Sequence, residues 1–404
     1  MKVVMLHWAF PPIIGGVESH LAMLGPDLVR LGCKVSLLTN AVNGKEEEYL
    51  WKGMKVRRSK LFDLNSLDPV TLKQRAREID REIMAFIQEE KPDLVHAHNM
   101  HYFSLEHTDS LFKVKKKWGF PLVLTAHNVW EDKLWREFNQ RAHYWDEVIA
   151  VSHYIKKELV KSGYVKDRVK VIHHGLDLNT FKTEKYEIAA NPLLAQLGGR
   201  RIIFHPARMS MAKGSHISLQ ALKQIKQHFP EVLLVMAGTE KTVDWGSHQN
   251  KEVNQLKNMI LELGLQDNVH IQFFPWEEMP LAYQAAEICI YPSCFEEPFG
   301  LVMLESMAMA RPIVVSRAGG MPEIIQEGVN GFIVPMNDPR ALAERCCELL
   351  RNPLLAQKIG QNGHKIVHKT YTKELMNART LFVYGEALSG RLRQQRRSDE
   401  KVIA

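Results

Sequence analysis

Two glutamates near residue 300 lie at a spacing that suits the recognition of sugar hydroxyls. Pro298 predicts a helix start, so Glu297 precedes that helix and Glu305 lies two turns inside it. The eight-residue step turns them about 80° apart around the axis, so both carboxylates can face one ligand. Ionised carboxylates accept paired hydrogen bonds from neighbouring hydroxyls, as a ribose or a hexose presents them. Because an unpaired charge in an otherwise apolar helix costs several kcal/mol, Glu305 is predicted to be functional.

Groups that suit a diphosphate occur in two segments of the sequence. Arg208 and Lys213 lie in a predicted loop after a strand, where Arg offers a bidentate fork and Lys a point charge. The alternative is a pair of ordinary surface cations. Phe299, Gly300 and Leu301 lie at the predicted helix start, where backbone N–H groups have no partner within the helix. These amides are predicted to donate to sugar or phosphate oxygens.

A glycine pair, Gly15 and Gly16, lies in the turn between the first predicted strand and the first helix. Two glycines let the backbone approach an anion, and the helix N-terminus presents N–H groups and the positive end of its dipole. The sequence has neither the GxGxxG dinucleotide fingerprint nor a GxxxxGKS phosphate loop. A tight turn without a ligand is therefore the alternative to an anion site.

Histidines are concentrated in the first half of the chain, and His127 is the one that we select. It ends a predicted strand and would point toward a ligand crevice, with a purely structural histidine as the alternative. His96, His98 and His101 resemble a metal-ligand cluster, but no acidic residue or cysteine lies at a fitting spacing. The sequence also lacks an Asp-x-Asp pair. No metal site is predicted, and the reaction is expected to need neither a metal nor another cofactor.

The elements that must position these residues are two series of short buried strands that alternate with helices. Parallel strands with helices on both faces are typical of doubly wound α/β sheets, which bind ligands at the carboxyl ends of their strands. The first series is predicted at residues 2–7, 34–39, 93–98, 121–127, 147–152 and 169–173, and the second at 201–205, 232–237, 269–274, 288–291, 313–316 and 332–334. A long helix is predicted over residues 69–90, a linker around 175–199, and two last helices over 354–370 and 373–388.

Length and composition favour two folded domains. The 404 residues include 45% hydrophobic and 25% charged residues, as in ordinary globular proteins, and no apolar run is long enough to span a bilayer. Five cysteines without a CxxC pair indicate a reducing compartment, so a cytoplasmic protein is expected. A net charge of +7 without a basic stripe interleaved with aromatics argues against a nucleic-acid partner. The basic tail after residue 390 is expected to be a solvated terminus, with contact to an anionic membrane as the alternative.

The ordered set of motifs resembles the retaining glycosyltransferases of family 4, which have the GT-B fold. The motifs are Gly15-Gly-Val-Glu18, His96-Ala-His98, Thr125-Ala-His127-Asn, His174-Gly-Leu-Asp-Leu-Asn-Thr-Phe181, Arg208 with Lys213-Gly214, Glu297-Pro-Phe-Gly-Leu-Val-Met-Leu-Glu305-Ser-Met-Ala and Gly319-Gly-Met-Pro-Glu323. The resemblance implies two Rossmann-like, doubly wound domains that face each other across a cleft. Residues 1–178 with 371–404 would form the N-terminal, acceptor-binding domain, and residues 179–370 the C-terminal, nucleotide-sugar-binding domain. His205 and Ala310 depart from the family pattern, which commonly has glycine there.

The resemblance also implies a nucleotide-sugar donor, expected to be UDP-linked N-acetylglucosamine or glucose. Arg208 and Lys213 would hold the diphosphate with the Gly16 amide, Glu305 would bind the ribose hydroxyls, and Glu297 the sugar hydroxyls. Enzymes of this kind retain the anomeric configuration by same-face attack and need no enzyme base. Catalysis would consist of placing the acceptor and stabilising the charge of the departing diphosphate.

The acceptor would bind to the first domain. His127 would lie by the donor sugar on the acceptor side, and Glu18, Glu131 and Asp132 would suit a cationic amino sugar or aminocyclitol. This agrees with a shorter likeness to the glycosyltransferases of aminoglycoside antibiotic biosynthesis. The alternative is a lipid-linked or cell-envelope acceptor, with a UDP-sugar or GDP-mannose donor, reached through membrane contact at residues 113–117. Those lysines are otherwise a solvated helix face. An enzyme like UDP-N-acetylglucosamine 2-epimerase is the alternative of another class.

Overall fold

The computed structural model describes residues 1–13, 15–102, 104–182, 192–197, 199–238 and 247–403, with the backbone alone for residues 194, 238, 247–250 and 392–403. The chain divides into two compact units. Unit 1 comprises Met1–His173 and Glu374–Ala404, and unit 2 comprises His174–Lys373. Much of the predicted linker, at 183–191 and 198, lies outside the described residues.

Among its described residues, unit 1 has eight strands and six α-helices before the chain enters unit 2. The strands are β1 (Lys2–Leu6), β2 (Lys34–Asn40), β3 (Glu47–Trp51), β4 (Met54–Ser59), β5 (Leu94–His98), β6 (Leu122–Ala126), β7 (Glu147–Ala150) and β8 (Val169–Val171). The helices are α1 (Gly16–Arg30), α2 (Pro69–Gln74), α3 (Ala76–Glu90), α4 (Leu105–Trp118), α5 (Lys133–Asn139) and α6 (His153–Lys161). The strand order is β3-β4-β2-β1-β5-β6-β7-β8, and only β3 and β4 pair in antiparallel fashion among these strands.

The β3–β4 hairpin is a part of this sheet that the sequence did not predict. Strand β3 lies at the sheet edge and alternates half-buried with exposed residues, so it offers no buried apolar run. Its Glu48 pairs with Arg57 of β4. Charged residues thus occupy positions at which apolar residues would have indicated a strand. Lys52 and Gly53 form the turn with φ angles of 49° and 84°. A two-residue hairpin turn needs such positive φ angles to match the twist of the strands.

The helix predicted over residues 69–90 is two helices, α2 and α3, which meet at Arg75. This residue has φ −91° and ψ 9°, outside ordinary helical geometry, and its guanidinium bonds Glu78 in the first turn of α3. Asp68 caps α2 by accepting hydrogen bonds from the amides of Val70 and Thr71. Each helix therefore begins and ends separately.

The part of unit 2 that the structure describes has six strands and eight α-helices. The strands are β9 (Ile202–His205), β10 (Leu233–Gly238), β11 (Val269–Phe273), β12 (Ile288–Tyr291), β13 (Ile313–Ser316) and β14 (Phe332–Val334). The helices are α7 (Pro192–Gln196), α8 (Ser215–Ile225), α9 (Ser247–Glu262), α10 (Met279–Ala285), α11 (Leu301–Ala308), α12 (Met321–Ile324), α13 (Pro339–Arg351) and α14 (Pro353–Thr370). The strand order is β11-β10-β9-β12-β13-β14, and these neighbouring strands all pair in parallel.

Both sheets have a point where the order of strands reverses direction. Strand β1 lies between β2 and β5, and β9 lies between β10 and β12. Helices that leave neighbouring strands on opposite faces of a sheet open a crevice at such a point, next to the carboxyl ends of the strands. His7 and His98 lie at that edge in unit 1, and His205 and Tyr291 lie there in unit 2.

The last helix, α15 (Lys373–Ile403), returns the chain to unit 1. Met376, Val383 and Tyr384 are buried in the unit 1 core, and the Asn377 amide donates to Asp27 Oδ2 of α1 at 2.8 Å. The basic side chains of the tail after Arg391 lie outside the described side chains. Among the described helices, none combines the length and apolar character that crossing a membrane requires.

Candidate active-site residues on the two units

Glu297 is the centre of a hydrogen-bonded cluster in unit 2. The residue is 4% exposed, and its Oε1 accepts from Lys213 Nζ at 2.7 Å and from Ser293 Oγ at 3.3 Å. The Tyr291 hydroxyl donates to the same oxygen, and Lys213 Nζ donates to that hydroxyl at 2.9 Å. A buried carboxylate is tolerated when a cation and hydroxyl donors surround it in this way. The two residues selected for sugar and diphosphate contacts thus form one ion pair.

Arg208 and Glu305 both shift the pKa of the Tyr291 hydroxyl. Burial raises the pKa of Tyr291 well above its usual value, and the Glu297 carboxylate raises it further. The Arg208 guanidinium lowers that pKa and the Glu305 carboxylate raises it, so both lie near the phenol. The structure therefore brings together Arg208, Glu297 and Glu305, with Lys213 in direct contact with the phenol.

Two glycines allow the loops of this cluster to pack closely. Gly214 has φ +75°, and a β-carbon there would lie 1.8 Å from the Pro292 carbonyl oxygen. Gly319 has φ +51°, and a β-carbon there would lie 2.0 Å from the Glu297 carbonyl oxygen. Neither contact is compatible with a side chain, because the clashing atom is backbone. The position of Lys213 therefore depends on Gly214, and that of Glu297 on Gly319.

Gly319→Ala is expected to displace the backbone of Glu297 and to lower the free energy of unfolding by several kcal/mol. The reason is the clash with a backbone oxygen added to a left-handed φ, which alone costs about 1–2 kcal/mol for a side chain. Gly328 is a matched control, because it has φ +71° and open space where its β-carbon would lie. Urea denaturation of both variants separates the two costs. A Gly319→Ala protein no less stable than Gly328→Ala would contradict this account.

Glu305 projects from α11 into the core of unit 2. It is 3% exposed, and its Oε2 accepts a 2.5 Å hydrogen bond from the Tyr283 hydroxyl. Burial raises the pKa of Glu305 to about 7, and the tyrosine hydrogen bond partly opposes that rise. The sequence suggested an ionised carboxylate, but the structure places this group between its protonated and ionised forms near neutral pH.

Helix α11 begins at Leu301, three residues later than the start predicted at Pro298, so Glu305 lies one turn inside the helix and not two. Gly300 has φ 91° and ψ 75° and caps the helix, which begins at Leu301. Phe299 is 3% exposed, and its ring packs edge-on against His174 with centroids 5.1 Å apart. The left-handed glycine thus turns Phe299 inward and places the first helix amides after the Glu297 loop. Ala310, just beyond the helix, has φ 54°, which explains why glycine is favoured there.

The glycine turn of unit 1 leads into α1, with Gly15 as the residue before the helix and Gly16 as its first residue. Glu18 in the first turn is 3% exposed and accepts from His7 Nε2 at 3.0 Å. His7 Nδ1 in turn lies 3.0 Å from the His98 carbonyl oxygen. A carboxylate in the first turn is favourable because it lies near the positive end of the helix dipole. Glu18 is therefore a buried, hydrogen-bonded residue at the carboxyl edge of the sheet.

His127 lies just after β6 and is 6% exposed. Its Nε2 is 3.1 Å from His98 Nδ1, and its amide donates to Asn99 Oδ1 at 2.8 Å. His96 lies on the same strand as His98, but its ring nitrogens bond Thr125 and Tyr384 at 2.7 Å each. Burial lowers the pKa of His96 to about 3, so this ring is neutral. His96 is thus committed to the core, whereas His98 and His127 face each other.

Two of the three predicted acceptor-side acids, Glu131 and Asp132, are exposed at the start of α5, whereas Glu18 is buried on α1. Asp132 caps this helix by accepting from the Trp135 amide at 2.7 Å, and the Tyr102 hydroxyl donates to its other oxygen. The Tyr102 ring stacks on Trp130 with centroids 3.8 Å apart. Glu131 is exposed beside them. Asp132 therefore has a structural role as the cap of α5.

The lysines at 113–117 lie along the second half of α4. Lys113 pairs with Asp80 at 2.8 Å and Lys115 with Asp146 at 2.7 Å. Lys116 lies over the Phe112 ring and Lys117 over the Trp118 ring, at 4.5 and 4.9 Å from the centroids. These contacts are typical of a solvated helix face that packs on its neighbours.

Two tyrosines of the candidate site were not selected from the sequence. Tyr291 ends β12 at the carboxyl edge of the sheet, so its position at the end of a predicted strand was a usable signal. Tyr283 lies on α10, away from any motif, and its contact with Glu305 gives no sequence signal. His205, which departs from the family pattern, is buried, and its Nδ1 lies 2.8 Å from Ser218 Oγ. Hydroxyl partners of buried carboxylates are fixed by packing, which spacing along the chain does not reveal.

Known proteins match this chain along most of its length. The model of Glycosyltransferase Family 4 matches residues 14–180, and that of Glycosyl transferases group 1 matches residues 194–366. Spore coat protein SA of Bacillus subtilis is 29% identical over 248 residues, 59% of this chain and 64% of that protein. A glycosyltransferase of Methanocaldococcus jannaschii, MJ1607, is 26% identical over 408 residues, 96% of this chain and 99% of that protein.

A solved structure shares the fold along most of this chain. HepE of Anabaena, in complex with UDP and glucose, superposes with a TM-score of 0.75 and 21% identity over 96% of this chain and 100% of that chain. The two family models follow each other along the sequence as the two units do. The chain therefore belongs to glycosyltransferase family 4 and is a glycosyltransferase of the GT-B fold.

Proposed function

We propose that this glycosyltransferase moves a hexose, glucose or N-acetylglucosamine, from a UDP-sugar to a hydroxyl acceptor with retention of anomeric configuration. The observation that carries the proposal is the Lys213–Glu297 pair with Arg208 and Tyr291, at the carboxyl end of the unit 2 sheet. It combines cations for a diphosphate with a carboxylate for hydroxyls. The likeness to a structure with UDP and glucose bound supports UDP as the nucleotide.

The donor diphosphate is assigned to Lys213 and Arg208. The Lys213 ammonium lies between the Glu297 carboxylate and the Phe295 ring, whose centroid is 4.5 Å away, so its direction is fixed before a ligand arrives. A cation held in place in this way offsets developing phosphate charge without a reorganisation step, and Arg208 is assigned to add a second positive charge. We therefore propose that donor binding and transfer need no metal ion at the diphosphate, and no other cofactor.

The hydroxyls of the donor are assigned to the two buried glutamates. Within the described residues, the bonds to Glu297 converge on Oε1, which leaves Oε2 to accept from a sugar hydroxyl. The bond from Tyr283 reaches Oε2 of Glu305, which leaves Oε1 for the ribose. In each carboxylate, hydrogen bonds from the protein hold one oxygen, and the other oxygen is assigned to a hydroxyl of the donor. The amides at Gly300 and Leu301 are assigned to sugar or phosphate oxygens.

The acceptor is assigned to unit 1, with His127 on the side of the donor sugar. We propose that catalysis consists of holding the acceptor hydroxyl in place and stabilising the departing diphosphate, so no residue is named as general base. The exposed Glu131 suits a cationic amino sugar or aminocyclitol, as in antibiotic biosynthesis. Such an acceptor is water-soluble, and we place the reaction in the cytoplasm. The family assignment favours transfer over epimerisation.

A thermal-shift panel with UDP, GDP, ADP and dTDP, each with and without EDTA, tests the donor assignment. UDP at 100 times its dissociation constant is expected to add about 2.7 kcal/mol of stability, and EDTA should leave this unchanged. A GDP-selective shift would redirect the assignment to a mannosyl donor. Absence of any shift would contradict the assignment of Arg208, Lys213, Glu297 and Glu305. Salt-sensitive binding to anionic liposomes would favour the lipid-linked acceptor instead.

A further inference from the structure

The loop between β9 and α8 carries both cations that are assigned to the diphosphate, Arg208 and Lys213. The ammonium of Lys213 is held by its contacts with Glu297 and Tyr291. The other end of that side chain is held by the backbone of residues 209–214. A displacement of about 1 Å in an active site can lower a rate about 10²-fold. Contacts that fix this loop therefore bear on the proposed reaction.

The second half of this loop is hydrogen-bonded to itself and to a neighbouring loop. The Lys213 amide donates to Ser210 Oγ at 3.1 Å. The Ala212 carbonyl oxygen accepts from the Cys294 amide at 2.8 Å, on the segment that follows β12. The loop is thus tied to the β12 side of the site. The amide of Met211, one residue earlier, bonds a different element of unit 2.

That element is α9, through its half-buried residue Glu252. Glu252 Oε2 accepts from the Met211 amide at 3.2 Å, across 41 residues of sequence. A backbone amide that is removed from water needs such a partner, and a carboxylate is a stronger acceptor than a neutral oxygen. The Met211 side chain packs against the hydrophobic core of unit 2. Glu252 therefore ties the loop to α9 two residues before Lys213.

Glu252 also lies near the first turn of α8, on the other side of Lys213 in the sequence. Burial lowers the pKa of His216, the second residue of α8, and the negative charge of Glu252 partly opposes that shift. A neighbouring charge has such an effect at short range. Lys213 thus lies in the sequence between the two residues that Glu252 affects, Met211 and His216.

We propose that Glu252 is a positioning residue for the transfer reaction: it fixes the loop backbone through the Met211 amide, so that Lys213 meets the donor diphosphate at a defined place. This inference rests on the proposed function, which assigns Lys213 to the diphosphate. Glu252 acts through Lys213 and is assigned no contact with the donor. The sequence did not indicate Glu252, because it lies in a mostly polar helix and in none of the motifs.

Calorimetric titration of the full-length protein with UDP, and with uridine by displacement of UDP, tests this role. Glu252→Ala is expected to weaken UDP binding about tenfold, the lower end of what a hydrogen bond to a charged group contributes. Uridine has no phosphate for Lys213 to contact, so its affinity should stay unchanged. A general loosening of unit 2 would weaken both ligands alike. Glu262→Ala is the matched control, because it removes one exposed carboxylate from the same helix.

Two conservative variants separate the hydrogen bond from the charge. Glu252→Gln keeps an oxygen that accepts from the Met211 amide, so UDP affinity should stay near that of the wild type. Glu252→Asp keeps the charge but shortens the reach, so it should weaken UDP as Glu252→Ala does. The reverse order of these two variants, or wild-type UDP affinity in Glu252→Ala, would overturn this inference alone. A wild-type protein that binds no UDP would overturn the donor assignment, and this inference with it.

Discussion

Lys213→Met is expected to lower turnover with a UDP-sugar by about 10²–10³-fold, the scale of a lost group that stabilises developing charge. Lys213 donates to both Glu297 and Tyr291, so its removal also leaves a buried carboxylate without its cation. Breaking a buried ion pair on one side costs about 3–5 kcal/mol. The variant is therefore expected to be both less active and less stable, and steady-state kinetics alone would not separate these effects.

A double variant, Lys213→Met with Glu297→Gln, separates activity from stability. It removes both charges, so most of the lost stability should return, because a neutral pair carries no unmatched buried charge. Activity should stay low, because the diphosphate still lacks its cation. Urea denaturation and initial rates of the two single variants and the double variant form a complete cycle. Near-wild-type turnover in Lys213→Met would move the diphosphate site elsewhere in the chain.

The fold could be predicted because apolar runs and turn residues decide where buried parallel strands lie. The strand predicted over 288–291 coincides with β12, whose residues are all buried. Strand β3 was not predicted, because an edge strand with Glu47 and Glu48 has no apolar run. Helices α2 and α3 were predicted as one helix, because their apolar positions continue across Arg75. An apolar run thus reveals a strand even at a half-exposed edge, as at β11, whereas an edge strand without such a run is missed.

The candidate site could be predicted as far as its charged residues. Glu297 and Lys213 were selected from separate motifs for separate contacts, yet they form one ion pair. Their 84-residue separation is closed by the packing of the Gly214 and Gly319 loops, which spacing does not encode. The protonation of Glu305 was also beyond the sequence, because it depends on burial. Identity and order of residues predict the chemistry, and three-dimensional packing decides the partners.

Glu305→Gln is expected to abolish a pH dependence in the binding of UDP-glucose. Because burial raises the pKa of Glu305 to about 7, the carboxylate is mostly protonated at pH 6 and mostly ionised at pH 8. An ionised carboxylate accepts from ribose hydroxyls, so affinity should rise about tenfold over that interval. Calorimetric titration with UDP-glucose measures this. UDP itself is less suitable, because the second ionisation of a terminal phosphate falls near pH ~6.

The same variant should change stability and binding in opposite directions at pH 8. A carboxyl with a raised pKa stabilises the fold below its unfolded value of 4.5, and this contribution is lost as pH rises through about 7. Glu305→Gln removes that loss, so the ligand-free variant should melt at a higher temperature than the wild type at pH 8. Its affinity for UDP-glucose should nevertheless fall, because an amide oxygen replaces an anionic acceptor.

If Glu305 had only a structural role, Glu305→Gln would change stability and affinity for UDP-glucose in the same direction. Opposite changes would indicate that Glu305 contacts the ligand. Glu297→Gln is the comparison, since it should weaken UDP-glucose more than UDP if Glu297 contacts the sugar. Equal losses for both ligands in both variants would contradict the division between ribose and sugar. A binding profile flat from pH 6 to pH 8 in the wild type would show that Glu305 does not ionise when the nucleotide binds. The ribose contact would then have to be assigned to another group of unit 2.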